Sequence, residues 1–209
     1  MRLKTKKKMI SLVLGLGAFG SLIYWYQFAS TPLSQPEVEK YMAIIQAQTS
    51  TYDVRHDLGA LRQFLQQDDG RPFYTVNLYK FNRRAGYASG SMYGGTGTEA
   101  YARFSSVMVA LLAARASHPI FGSLWSDSAA SGWDRVVIVR YRSRRDIADL
   151  FASTEFAAAS VHKWASIERH ERMLVQGLHF PNGLLVVGLL AAAVALMSKV
   201  YLSRKKLNA

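Results

Sequence analysis

No cysteine occurs in the 209 residues, so disulfides, thiol catalysis and thiolate metal sites are excluded. The absence is compatible with an oxidising compartment without demonstrating one. Metal-ligand spacings are missing as well. The five histidines, His56, His118, His162, His170 and His179, form no H-E-x-x-H pair, and His162 and His170 stand eight apart, too far to share one ion. The glycine-rich stretch with Gly86, Gly90, Gly94, Gly95 and Gly97 lacks the G-x-x-x-x-G-K-[ST] pattern and holds no lysine, which excludes a phosphate loop. It reads as a lid over a binding-site mouth or as an ordinary loop. Neither a Ser-His-Asp arrangement nor a carboxylate pair can be read, so no catalytic residue, metal or cofactor is assigned.

What is present in excess is positive charge, +12 over the chain. Its distribution argues against nucleic acid as a partner. Five cations, Arg2, Lys4, Lys6, Lys7 and Lys8, lie in the first eight residues, and four, Lys199, Arg204, Lys205 and Lys206, in the last eleven. The other 17 Lys and Arg face all 14 carboxylates between Pro32 and Pro181, leaving that region at +3. A nucleic-acid groove would carry its charge within the domain.

The terminal cations flank two apolar runs. Met9–Phe28 is 20 residues without a charge, about 30 Å as a helix, and it ends on Tyr24-Trp25-Tyr26, the rings expected at a membrane interface. A cleaved signal peptide is the competing reading, but Gln27-Phe28-Ala29-Ser30 lacks a small-x-small cleavage pattern. Gly183–Leu202 is the second run, with small residues at Gly188, Ala191, Ala192 and Ala195 along one side. The expectation is two transmembrane helices with both basic termini cytoplasmic. That makes an integral membrane protein, placed in a bacterial inner membrane, with the bilayer as partner and a periplasmic folded domain. The expected segments are 1–30 (basic tail and first span), 31–70 (linker and two amphipathic helices), 71–180 (folded domain) and 181–209 (second span and tail).

Within 31–70, Val38, Tyr41, Met42 and Ile45 form one helical stripe and Leu58, Leu61 and Leu65 another. Strand signals follow at Pro72–Phe81, Ile120–Trp125, Trp133–Tyr141 and Arg172–Phe180. Helical patterns run from a Thr96 or Thr98 cap through Leu112 and from Ser143 through Ala165. The order β-α-β-β-α-β is that of a ferredoxin-like α+β domain, a four-stranded antiparallel sheet with helices on one face. The opposite face is expected to carry Phe73, Thr75, Asn77, Tyr79, Trp133, Arg135, Val137, Val139 and Tyr141, too apolar for water. Two such faces closing on each other predict a homodimeric α/β barrel.

The strand segment Asn77-Leu78-Tyr79-Lys80-Phe81 resembles the opening strand of a family of uncharacterised dimeric α/β-barrel proteins, distant relatives of the antibiotic-biosynthesis monooxygenase-like superfamily. Four further segments are similar in order: Gly97-Thr98-Glu99-Ala100-Tyr101, Trp133-Asp134 with Tyr141-Arg142-Ser143, Ser153-Thr154-Glu155-Phe156, and Arg172 to Gly177. Two prolines usual in that family are absent, after Tyr141 and after Ser153. The resemblance covers Arg71 to Phe180 and implies the barrel fold; its relatives include oxygenases, haem-binding enzymes, decarboxylases and simple binders.

Asn77, Tyr79, Arg135, Tyr141 and Gln176 are the polar residues placed nearest the barrel interior. A mostly apolar cavity with few convergent polar groups suits a small apolar or aromatic ligand, with Asn77 and Arg135 able to hold an anionic oxygen. Two other readings stand beside this one. One is a cofactor-independent or haem-associated enzyme, in which a histidine such as His170 could be an axial ligand. The other is an interaction module with a filled barrel. Arg142, Arg144 and Arg145 read as a lipid-facing cluster or as a helix start balanced by Asp146 and Asp149.

Overall fold

The computed structural model describes residues 2–27, 30–52, 54–124, 132–177, 192–193 and 196. Met1–Gln176 is one compact unit and Gly177–Ala209 another. In the first, α1 (Arg2–Gln27), α2 (Gln35–Thr49) and α3 (Leu58–Gln66) precede β1 (Phe73–Phe81). Then come α4 (Gly97–Ala113), β2 (His118–Leu124), β3 (Arg135–Tyr141), α5 (Arg144–Phe151), α6 (Thr154–Ser166) and β4 (Ile167–Val175). The strands form a four-stranded antiparallel sheet in the order β2-β3-β1-β4.

The expected membrane spans are corrected. Among the described residues no helix is long and apolar enough to cross a membrane. Helix α1 is a single cylinder that takes in the basic stretch from Arg2 to Lys8 together with the apolar run, and its aromatic end is bound by the domain rather than by headgroups. Arg140 is 2 % exposed. Its guanidinium lies 3.8 Å from the Tyr26 ring centre and donates to the Tyr26 carbonyl at 3.2 Å and to Gln27 Oε1 at 2.9 Å. Arg142 donates to the Trp25 carbonyl at 3.3 Å, and the Tyr26 hydroxyl meets His118 Nε2 at 2.7 Å. Two arginines thus satisfy carbonyls that the last helical turn leaves open. The transmembrane flanks of the expected fold class, and with them the inner-membrane and periplasmic placement, rested on those spans. Of the second one, Gly183–Leu202, only Ala192, Ala193 and Leu196 are described, all helical.

Local chemistry explains the element ends. Thr96 caps α4, with its hydroxyl accepting from Glu99 N at 3.2 Å and Glu99 returning a bond to Thr96 N at 2.7 Å. The long helix expected from Ser143 to Ala165 is two helices, because Ser153 caps a new start by accepting from Phe156 N at 3.2 Å. Gly97 has no room for a side chain: a Cβ there would stand 2.4 Å from the Asn82 carbonyl oxygen and 2.5 Å from that of Ser166. That close approach ties the start of α4 to the ends of β1 and α6. Strand β4 begins at Ile167, five residues before the expected Arg172. Its first half, Ile-Glu-Arg-His-Glu-Arg, is charged, which an edge strand paired on one side tolerates.

The two sheet faces are also exchanged relative to expectation. Phe73, Thr75, Asn77, Tyr79 and Phe81 are buried and point to the helices: Phe73 packs on Phe64 of α3 at 5.2 Å, and Tyr79 and Phe81 pack on Tyr101 of α4 at 5.0 and 5.2 Å. Their β3 neighbours Val137, Val139 and Tyr141 share that inner face. Only Trp133 departs from the expected set; Arg169 lies over its ring at 3.9 Å. The outer face is built on a row through all four strands, Phe121, Ile138, Val76 and Met173, with the Tyr74–Arg140–His118 row beside it meeting the end of α1.

Helices α2 and α3 complete the core with Val38, Met42, Ile45, Leu61 and Leu65. The basic cluster after Tyr141 is engaged within the chain. Arg142 pairs with Asp146 at 2.5 Å, Arg145 with Glu37 of α2 at 2.6 Å, and Arg144 donates to the Phe64 carbonyl at 2.7 Å. Asp149 instead accepts the Tyr41 hydroxyl at 2.5 Å.

Candidate functional site

A cavity of about 300 Å³ lies between the inner sheet face and the helices. Sheet residues Tyr79, Val137, Val139 and Tyr141 form its floor, and Tyr101, Phe104, Met108 and Leu112 of α4 form one wall. The other wall comes from Phe151, Phe156 and Trp164, and the Val54–His56 segment closes one side. Its polar groups are Thr75, Asn77, His56, His170, Lys163 and Arg172, with Arg55, Ser105 and Ser160. Among the described residues no Asp or Glu lines it.

Backbone register explains how these groups converge. Asn77 on β1 is opposite Val137 on β3 and Arg172 on β4, and Tyr79 is opposite His170. The Asn77 amide nitrogen donates to the Thr75 hydroxyl at 2.9 Å and to the Thr75 and Val137 carbonyls at 3.3 and 3.2 Å. That orientation leaves Asn77 Oδ1 as an acceptor 3.2 Å from His170 Nε2, so Nε2 carries the proton. The His170 ring stacks on Tyr79, centres 4.7 Å apart. Burial, with Lys163 and Arg172 nearby, drives the His170 pKa down to about 3. His170 is therefore a neutral Nε2–H donor held in place by Asn77.

His56 packs against Phe151 at 4.5 Å, and its buried Nε2 has no hydrogen-bond partner. Burial first, then the charges of Lys163 and Arg172, lowers its pKa to about 4. Lys163 Nζ sits 4.7 Å from the Trp164 ring centre and 5.8 Å from that of Phe104. The side chain is half-buried, and no carboxylate pairs with it among the described residues. Burial, reinforced by Arg172, pushes its pKa down to about 7. Arg55 flanks the same Trp164 ring at 5.2 Å. Desolvation raises the Tyr79, Tyr101 and Tyr141 hydroxyls, Tyr141 to about 12, so all three remain protonated. His56, His170 and Lys163 are all displaced toward their neutral forms, by burial first and by neighbouring positive charge second.

Of the five residues expected at the site, Asn77, Tyr79 and Tyr141 line the cavity. Arg135 lies behind the wall, its guanidinium 5.1 Å from the Tyr101 ring centre. Gln176 lies elsewhere, donating to both Asp69 carboxylate oxygens at 3.2 and 3.1 Å. The glycine-rich stretch supplies no lining residue; Tyr87 and Arg103 hold it through His162 Nδ1 at 2.9 Å and the Gly94 carbonyl at 3.0 Å. Lys163, Trp164, His56 and Arg172 had not been expected there. The apolar stripe of α6 was legible, but which residues flank it toward the sheet depends on the helix break at Ser153 and the early start of β4.

No family model matches the chain, and no curated protein matches it. Two crystal structures are similar in fold. One is of the RPA0582 protein of unknown function from Rhodopseudomonas palustris, at 20 % identity and TM-score 0.52, covering 62 % of this chain and 98 % of that one. The other is of the methylated RPA0582 protein, at 20 % identity and TM-score 0.53, covering 62 % and 96 %. At that identity the likeness carries the fold alone.

Proposed function

We propose that this protein binds a small, mostly aromatic molecule bearing a negative charge, in the cavity between the sheet and helices α4 and α6. The carrying observation is the lining: aromatic walls with half-buried Lys163 and the more exposed Arg172 among them and, among the described residues, no carboxylate. An anion there would replace missing charge partners, and aromatic rings would replace water against Phe104, Phe156 and Trp164. A volume of about 300 Å³ is at the lower end for small-molecule sites and suits a compound of one or two rings. An open cavity of this kind supports binding over a filled interaction module. The Asn77 bond to His170 gives that ring a structural task, which weakens its reading as an axial ligand.

Equilibrium dialysis of the full chain against phenylacetate and its uncharged amide tests the proposal. The acid is expected to bind at least about tenfold more tightly, the worth of one charge-assisted hydrogen bond, and to take up a proton near pH 7 as Lys163 becomes charged. Equal binding of acid and amide, or binding of neither, would overturn the reading. We also propose a homodimer through the outer face. Its apolar row crosses the whole sheet, Phe121 and Met173 are each 50 % exposed, and among the described residues α1 meets the neighbouring row.

A further inference from the structure

We propose that Lys163 is a nucleophile that condenses with the carbonyl group of a small aryl 2-oxo acid held in the cavity, forming an imine. The inference rests on the anion-binding reading and names its substrate class. Three observations carry it. First, the Lys163 amine lines the cavity near the Trp164 and Phe104 rings and, among the described residues, has no carboxylate partner. By contrast Lys80 is paired with Asp134 at 3.0 Å, and Lys40 is exposed on α2. Second, Arg172 lines the same cavity and offers a guanidinium to the carboxylate adjoining the carbonyl. Third, the rings of Phe104, Phe156 and Trp164 line the cavity and offer apolar contact to the aryl group.

The amine is also available at neutral pH. With its pKa near 7, roughly half the Lys163 side chains are unprotonated at pH 7, against about one in a few thousand for an ordinary lysine. The step balances without a further reagent. The Nζ lone pair forms a bond to the carbonyl carbon as the C=O π pair moves to oxygen, and that oxygen takes up one of the two amine protons, the second leaving with the hydroxyl as water. The resulting carbinolamine then loses water as the C=N bond forms, and the imine takes one proton from solvent to become the iminium. The neutral imidazoles of His56 and His170 and the protonated tyrosines add no negative charge that would hold Lys163 as an ion pair.

The test is reductive trapping of the full chain with phenylpyruvate and sodium cyanoborohydride at pH 7, followed by peptide mass mapping. Phenylacetate binding is measured in parallel by dialysis. Labelling of Lys163 at least about tenfold faster than Lys40, slowed by added phenylacetate and absent in Lys163→Arg with an unchanged circular dichroism spectrum, is expected. Phenylacetate binding with Lys163 labelled no faster than Lys40 would overturn the imine and leave the binding reading standing. Neither binding nor selective labelling would overturn both. Selective labelling without phenylacetate binding would support the nucleophile and overturn only the anion requirement.

Discussion

On one side of the sheet Phe73, Tyr79, Val137 and Tyr141 are sealed under helices; on the other, Val76, Ile138, Phe121 and Met173 remain half-buried or exposed. Both sets are apolar; the first lies on the central strands β1 and β3, and the second crosses all four strands. The difference is what sits above them. Helices α3, α4, α5 and α6 close the inner face but do not fill it, and the remaining space collects Lys163, His56, His170 and Arg172. Among the described residues the outer face receives the end of α1, held through Arg140 and His118. Apolarity therefore marks a surface that needs covering, whereas the cover decides whether the result is a core, a cavity or a contact surface.

Deleting packing on the inner face should have the largest effect. Phe73, 1 % exposed, stacks on Tyr141 at 5.1 Å, and Phe73→Ala is expected to lower stability by about 3–5 kcal/mol in urea unfolding. A loss below about 1 kcal/mol would show that the inner face is not the principal core.

Acid should come next. The unfolded chain protonates His56 and His170 below about pH 6.5, while the folded chain refuses those protons until about pH 4 and about pH 3. Stability therefore falls as pH drops through that window, by about 3 kcal/mol in all at pH 4 after allowing for partial solvent access. Removing both rings (His56→Phe with His170→Asn) should flatten this slope; a slope unchanged in the double variant would mean these histidines are not the buried neutral bases.

A smaller effect is expected on removing Lys163, and it should be a gain. Its folded pKa of about 7 lies below the ordinary 10.5, so, as for the two histidines, the unfolded state binds the proton more readily; the penalty on folding grows as pH falls from about 10.5 to about 7 and is full below that. Lys163→Met should raise stability at pH 7 by about 1 kcal/mol while moving the His56 and His170 titrations upward, as NMR would report. A destabilised variant with unmoved histidines would refute the excess-charge account.

The outer face should respond least within a single chain. Phe121→Lys with Met173→Lys is expected to change unfolding free energy by no more than about 0.5 kcal/mol per site, yet to convert a dimer to a monomer in sedimentation. The same sedimentation coefficient before and after would remove the outer-face dimer.

The legible part of the fold lay where local chemistry is strong. The Thr96–Glu99 capping box and the Val136–Val139 run each specify an element without help from distant residues. The early half of β4 was hidden because its charged residues suit an edge strand only once β1 is beside it. At the site, Asn77, Tyr79 and Tyr141 were legible as polar groups on apolar strands. Lys163 and His56 were not, since one looks like a solvated helix residue and the other lies in an irregular segment.

By itself the sequence determined the alternation of strands and helices, the absence of thiol chemistry and the concentration of cations at the ends. These follow from periodicity, composition and caps, which act over a few residues. It did not determine which sheet face meets the helices, because both faces carry similar apolar patterns and a period of two cannot choose between them. Nor did it determine the environment of Tyr24-Trp25-Tyr26, since the same amphipathic rings suit a headgroup layer or a pair of buried arginines. Only the tertiary structure, by placing Arg140 and Arg142 under the end of α1, decided that, and the packing of α6 on the other sheet face brought Lys163 into an aromatic cavity.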